Sequence, residues 1–317
     1  MSEKNNKIAQ NNTFMKLLIL ILTLFVSLSA GAAEKLKPFV LATTSSGDIT
    51  QILTDSKAKL SAAGFEIVGE YSPYKGSHII VVTNDALKNN ARNSEFGGYG
   101  AVQRVAVTDM NGSIQVSYTN PTYMANAYRL KGDLADVSMA LKGALGHQQV
   151  YGSEDGLEVK ELHKYHYMFG MPYFDDPDVL AEHGSYEKAV KAVEAGLAAG
   201  KGGTSKIFRV DIPGKKQSVV GVAMTQDMSS DATIMKEVDF KPVRSTAHLP
   251  YELLIHEDGK VYALSAKFRI AINFPDLSMA GKNSFMGIMA SPDAIKKALS
   301  QASGAAVEKS DGGVLDF

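Results

Sequence analysis

Apolar and polar residues alternate along this chain on two periods, and the switch between them marks out the elements. Pro38–Thr44 reads as a strand, and Ile49, Ile52, Leu53 and Leu60 form an apolar stripe at helical spacing that predicts a helix over 49–63. Gly64 ends it, and Phe65–Val68 and His78–Thr83 follow as strands around a turn at 73–76. Residues 84–93 predict a short helix or loop, 121–130 a tyrosine-rich connection and 134–145 a further helix. Between them lies a hairpin over 103–118, with Asn111-Gly112 supplying the positive φ of a tight turn.

The same order recurs after a glycine-bounded break at 152–156. A strand is expected over 158–169, a polar connection over 174–184 and an Ala-rich helix over 186–199. Strands over 205–210 and 217–222 lead to a second hairpin over 248–265, turned by Asp258-Gly259. Its glycine lies 147 positions after that of the first hairpin. A last strand over 268–272 and a Pro-started helix over 292–301 complete the pattern. The fold class this implies is α+β, as tandem ferredoxin-like or related modules with antiparallel sheets packed by helices. The first module covers 34–150, the second 157–302, and 303–317, rich in small and polar residues, is expected to be a flexible C-terminal tail.

Residues 1–33 stand apart from this pattern. Lys16 precedes the apolar run Leu17–Leu28, which ends in Ser29-Ala30-Gly31-Ala32-Ala33 before Glu34. That order of basic, apolar and small residues is that of a cleavable signal peptide, with cleavage expected after Ala32 or Ala33. The other reading is an uncleaved anchor, for which a dozen apolar residues are short against the roughly 20 that span a bilayer. The expected location is the periplasm, with no mature transmembrane segment.

Composition narrows the chemistry by exclusion. The chain has no Cys, which removes disulfides, thiolate nucleophiles and ligands, and c-type haem attachment. Lys4, Lys7, Lys16 and Glu3 lie in residues 1–33, so the remainder carries 30 basic and 33 acidic residues. So balanced a charge gives no general reason to bind nucleic acid.

The passages Ala62-Ala63-Gly64-Phe65 and Leu249-Pro250-Tyr251-Glu252-Leu253-Leu254-Ile255-His256-Glu257-Asp258-Gly259-Lys260-Val261 resemble the bacterial domain-of-unknown-function family 302, in two divergent copies over much of 38–147 and 158–300. The first copy departs from the hairpin wording, with Val102-Gln103 where the second has Leu-Pro. The resemblance implies a compact α+β module and brings no catalytic residues with it.

Several groups carry candidate chemistry. His163, His166, Met168 and Met171, interleaved with Tyr165 and Tyr167, offer imidazole and thioether donors for copper or haem iron; the alternative is aromatic packing or surface exposure. On a strand His163 and His166 face opposite sides, whereas three-residue spacing on a helix brings them together. Met224, Met228 and Met235 suit copper or, more commonly, flexible packing. Arg104, Tyr118, Asn120, Tyr123 and Arg244 are candidates for holding a ligand, with Tyr128 and Arg129 beside them; the aromatic rings equally suit a core. His248, His256 and Glu252 lack the nucleophile and shared pocket that a hydrolase needs, and neither Gly97–Gly100 nor the glycines of 200–203 match a phosphate loop. The reading that follows is an exported protein that binds a small molecule or a periplasmic protein, with periplasmic haem or copper binding and an enzyme of unassigned reaction as alternatives.

Overall fold

The computed structural model describes residues 35–305, and from Leu36 onward these belong to one compact unit. The chain opens with β1 (Phe39–Ser46) and α1 (Ile49–Ala62). Asp48 caps α1 by accepting from the Thr50 amide at 2.8 Å, and Gly64, at φ +81°, carries the chain out of it. β2 (Glu66–Tyr71) and β3 (Ser77–Thr83) form a hairpin. α2 (Asp85–Arg92), capped by Asn84, then leads to β4 (Gln103–Met110) and β5 (Ser113–Thr119). α3 (Pro121–Ala127), α4 (Ala135–Leu145) and the short β6 (Gln149–Tyr151) complete the first half.

One helical turn, α5 (Val159–Leu162), precedes the second sheet. There β7 (Asp178–Glu182), α6 (Tyr186–Ala198), β8 (Thr204–Asp211) and β9 (Ser218–Met224) are followed by α7 (Asp231–Val238). β10 (Tyr251–Ile255), β11 (Lys260–Ala263), α8 (Ala266–Asn273) and α9 (Ser291–Ala302) end the described chain. The fold is α+β, with two antiparallel sheets packed by helices. The six-stranded sheet runs β2-β3-β4-β5-β1-β6 and the five-stranded sheet runs β8-β9-β10-β11-β7. Each contains a four-strand meander with its own first strand alongside the last, and in the six-stranded sheet β6 pairs on the outer side of β1. The first strand of the six-stranded sheet, β1, lies between β5 and β6, whereas β7 forms an edge of the five-stranded sheet.

The halves hold each other through reaching loops. The turn at Gly97–Gly100, before β4, lies against β9 and β10, and the turn at Thr246–His248, before β10, lies against β3, β4 and β5. One glutamine on each side receives the visitor. Gln217 Oε1 accepts from the Gly98 amide at 3.0 Å while its Nε2 donates to the Glu95 carbonyl at 2.6 Å. Gln115 Oε1 accepts from the Arg244 amide at 2.9 Å while its Nε2 donates to the Pro242 carbonyl at 2.9 Å. A side-chain amide offers one acceptor and two donors, so it can satisfy a stretch of foreign backbone as a neighbouring strand would. The edge strands β2 and β8 also meet: a Cβ placed on Gly69 would fall 2.4 Å from the Ile207 carbonyl oxygen.

Four expected elements differ. The 158–169 strand is instead α5 followed by turns, with Leu162 alone among 158–164 buried in the core. The 268–272 strand is α8, in which every residue except Lys267 is buried; a short, mostly apolar run looks the same for a buried helix and a buried strand. The 121–130 connection contains α3, started by Pro121 and capped by Asn120. The polar connection over 174–184 contains β7. The start of the expected tail is also held, since the Ser303 carbonyl meets His183 Nε2 at 2.8 Å. The signal-peptide reading falls on residues outside those described. Among the described residues no helix is long and apolar enough to cross a membrane.

Candidate functional site

Helix α7 places Ala232, Met235 and Lys236 at steps of three and four residues, and therefore on one face, and Asp239 directly follows the helix. That face forms one wall of a cleft of about 430 Å³. The opposite wall comes from the first half: Tyr74, Lys75 and Gly76 from the β2–β3 turn, and Thr108–Asn111 from the tip of the β4–β5 hairpin. Local turn chemistry fixes both pieces. Gly76 sits at φ +79° and accepts from the Asp109 amide at 2.7 Å, and Asp109 Oδ1 in turn accepts from the Gly112 amide at 2.7 Å. The Asp109 carboxylate is thus engaged in closing its own hairpin.

Arg244 lies where the walls meet. Its Nε approaches Met110 Sδ at 3.1 Å, and one terminal nitrogen donates to the Asp239 carbonyl. Tyr74 reaches under the cleft, with its hydroxyl 2.9 Å from Thr246 Oγ1, which also accepts from Thr108 Oγ1 at 3.0 Å. The Asp239 side chain is buried. Its Oδ1 accepts from the Ser245 amide at 2.8 Å, and its Oδ2 has no hydrogen-bond partner among the described residues. Burial pushes this carboxyl up to about 7 against the pull of the Ser245 amide and the Arg244 charge. None of Lys75, Lys236 and Arg244 forms an ion pair with a described carboxylate. The cleft therefore gathers three cations from both halves, with one acid committed to a turn and one buried and readily protonated. It is suited to a small anion with some apolar surface to lay against Met110 and Met235.

Of the five residues expected to hold a ligand, Arg244 alone lines this cleft. Arg104 is buried and bonded to Glu252. Tyr118 donates to the Gly146 carbonyl at 3.2 Å, and Asn120 caps α3 while its amide donates to the Lys37 carbonyl. Tyr123 is wholly buried, donating to the Ile272 carbonyl at 2.7 Å. These four order the core, because each hydroxyl, amide or guanidinium is spent on an internal partner. The sequence did not single out Lys75 or Lys236.

The His/Tyr/Met segment is spread over turns. His163 Nε2 lies 3.0 Å from Asn126 Oδ1, whereas His166 Nδ1 meets the Met168 carbonyl at 2.9 Å and its ring packs on Tyr173. Tyr165 and Tyr167 tie the segment down by donating to the carbonyls of Ala271 and Leu277. Met168 is exposed and Met171 half-buried. Among the described residues no three His, Asp or Glu side chains cluster as metal ligands would. Met224 and Met235 are core residues, and Met228 is half-buried. His248 is buried, accepting at Nδ1 from Arg269 at 3.0 Å, and burial together with that cation holds its pKa well down. His256 packs against Phe96 and Tyr262. No family model, no curated protein and no solved structure matches the chain.

Proposed function

We propose that this is an exported binding protein whose inter-half cleft captures a small organic anion. The observation that carries the reading is the convergence of Lys75, Lys236 and Arg244, each without an ion-pair partner among the described residues, from two parts of the chain onto one cleft of about 430 Å³. That volume lies within the roughly 300–1,000 Å³ usual for small-molecule sites. Export rests on Lys16, the Leu17–Leu28 run and the small residues before Glu34. The matching relative strand orders of the two sheets support two copies of one module related to the ferredoxin-like plan, as the resemblance to domain-of-unknown-function family 302 implies. Binding uses no reaction step: the cations neutralise and orient the anion, Met110 and Met235 cover its carbon skeleton, and Asp239, when protonated, adds no opposing charge.

The test is a titration of the mature chain with citrate and with inorganic phosphate, read by NMR at the Arg244 Nε–H signal. Saturable shifts there, weakened by about tenfold in Lys236→Ala, support the reading; the loss corresponds to about 1.4 kcal/mol for one charge-assisted contact. Absence of any saturable shift with either anion counts against it.

A further inference from the structure

The loop between α8 and α9 sorts its apolar residues in an unusual way. Leu277, Phe285 and Ile288 are buried at 4%, 8% and 1% exposure, whereas Met279, Met286 and Met289 stand out at 42%, 62% and 74%. Packing accounts for the first three and leaves the methionines unexplained, since a loop that needed only filler would turn its thioethers inward. The backbone brings the three together. The Met286 amide donates to the Met279 carbonyl at 3.1 Å, and the Met289 amide donates to the Met286 carbonyl at 3.4 Å. Met286 is the second residue of the 3₁₀ turn Phe285–Ile288 and Met289 directly follows that turn, so the two stand three apart, the spacing at which side chains on such a turn eclipse one another.

The loop is also held in shape. Glu237 Oε1 accepts from the Ser284 amide at 3.1 Å, Ser284 Oγ donates to the Gly281 carbonyl at 2.8 Å, and the Phe285 ring packs on Tyr167 at 4.8 Å. A fixed frame thus carries three flexible, exposed sulfur donors on adjacent backbone positions. In a chain with no Cys, thioethers and imidazoles are the soft ligands on offer, and thioether sulfur selects copper(I) among the biological metals. We propose that Met279, Met286 and Met289 form a three-thioether site for a soft monovalent ion, copper(I), for which silver(I) can stand in. The site is separate from the anion cleft and from the His163–Met171 segment, and it does not depend on the cleft's function.

The experiment uses the mature chain with ¹³C-methyl methionine, titrated with silver(I) nitrate and, under anaerobic reducing conditions, with copper(I) in competition with a chelator. One ion per chain should move the methyl signals of Met279, Met286 and Met289 together while leaving those of Met139, an exposed methionine elsewhere (64%), and of buried Met124 and Met224 in place. The Met279→Leu, Met286→Leu, Met289→Leu variant keeps the apolar volume at exposed positions and should unfold at the same temperature, with affinity weakened by at least about a hundredfold. Equal binding by that variant, or a Met139 shift in step with the other three, would overturn the site, because either result assigns the effect to exposure alone. A wild-type chain that binds neither ion would overturn it as well.

Discussion

Arg104 of β4 and Glu252 of β10 form an ion pair in which both side chains are 2% exposed, joining the two sheets at the second residue of each hairpin's leading strand. Arg269 of α8 faces the same carboxylate, with its Nε 3.6 Å from Glu252 Oε2. One buried anion therefore serves two buried cations. Glu252→Gln leaves both guanidinium groups uncompensated and should lower stability by about 3–5 kcal/mol. Arg104→Met leaves Glu252 opposite Arg269 and should cost about 1–3 kcal/mol. Urea denaturation of the two variants checks the order; an equal loss would mean that Arg269 does not share the charge.

The buried acids of α7 and its exit set a pH dependence. Burial raises both Asp231 and Asp239 to about 7. Between an unfolded value near 3.8 and that level, the folded chain keeps protons that the unfolded chain has released. Their contribution is thus fully present below the unfolded value and is lost as pH rises through about 7, by at most about 1.4 kcal/mol per pH unit for each group. In Asp231→Asn the side-chain oxygen can still accept from the Tyr71 hydroxyl and the Met224 amide, both 3.2 Å from Oδ2. Thermal unfolding from pH 5 to 8 should therefore decline less steeply in that variant than in the parent chain. Parallel curves would show that Asp231 does not hold its proton.

The contact between edge strands leaves no room at Gly69. A Cβ there meets the Ile207 carbonyl oxygen at 2.4 Å, whereas at Gly98 the nearest obstacle, also 2.4 Å away, is the tip of the Leu254 side chain. Backbone cannot rotate aside as a leucine methyl can. Gly69→Ala should cost about 2–3 kcal/mol and Gly98→Ala closer to about 1 kcal/mol, measured by thermal unfolding. The reverse order would mean that β2 and β8 can separate freely.

Much of the fold is written locally, and the site is not. Asn111-Gly112 and Asp258-Gly259 announce both hairpins because only a few residue types accept the positive φ of those turns, and Asn111, Gly112 and Gly259 do adopt it. Helix α8 was hidden because burial on every side erases its period. Arg104 reads from sequence as a solvated or ligand-facing cation, since its partner lies 148 positions away. The cleft was illegible for the same reason. Lys75 sits in a turn and Lys236 on a helix face, each an ordinary surface lysine until the fold brings their elements together. Arg244 was singled out by its residue type, but its place beside Met110 and Asp239 depends on the Gln115 amide that receives its backbone.

The cleft divides its cations between the halves, so both walls should matter to binding. Lys75→Ala from the first half and Lys236→Ala from the second should each weaken citrate by about tenfold, and the pair should weaken it by about a hundredfold. Equilibrium dialysis with labelled citrate gives the comparison. A loss confined to one wall would place the ligand on that half alone.

The most direct measurement is the Arg244 Nε–H signal of the protein during an anion titration at pH 6 and pH 8. A saturable shift is expected with citrate or inorganic phosphate at both pH values. A signal that stays fixed with both anions at both pH values would contradict an anion site between the two halves.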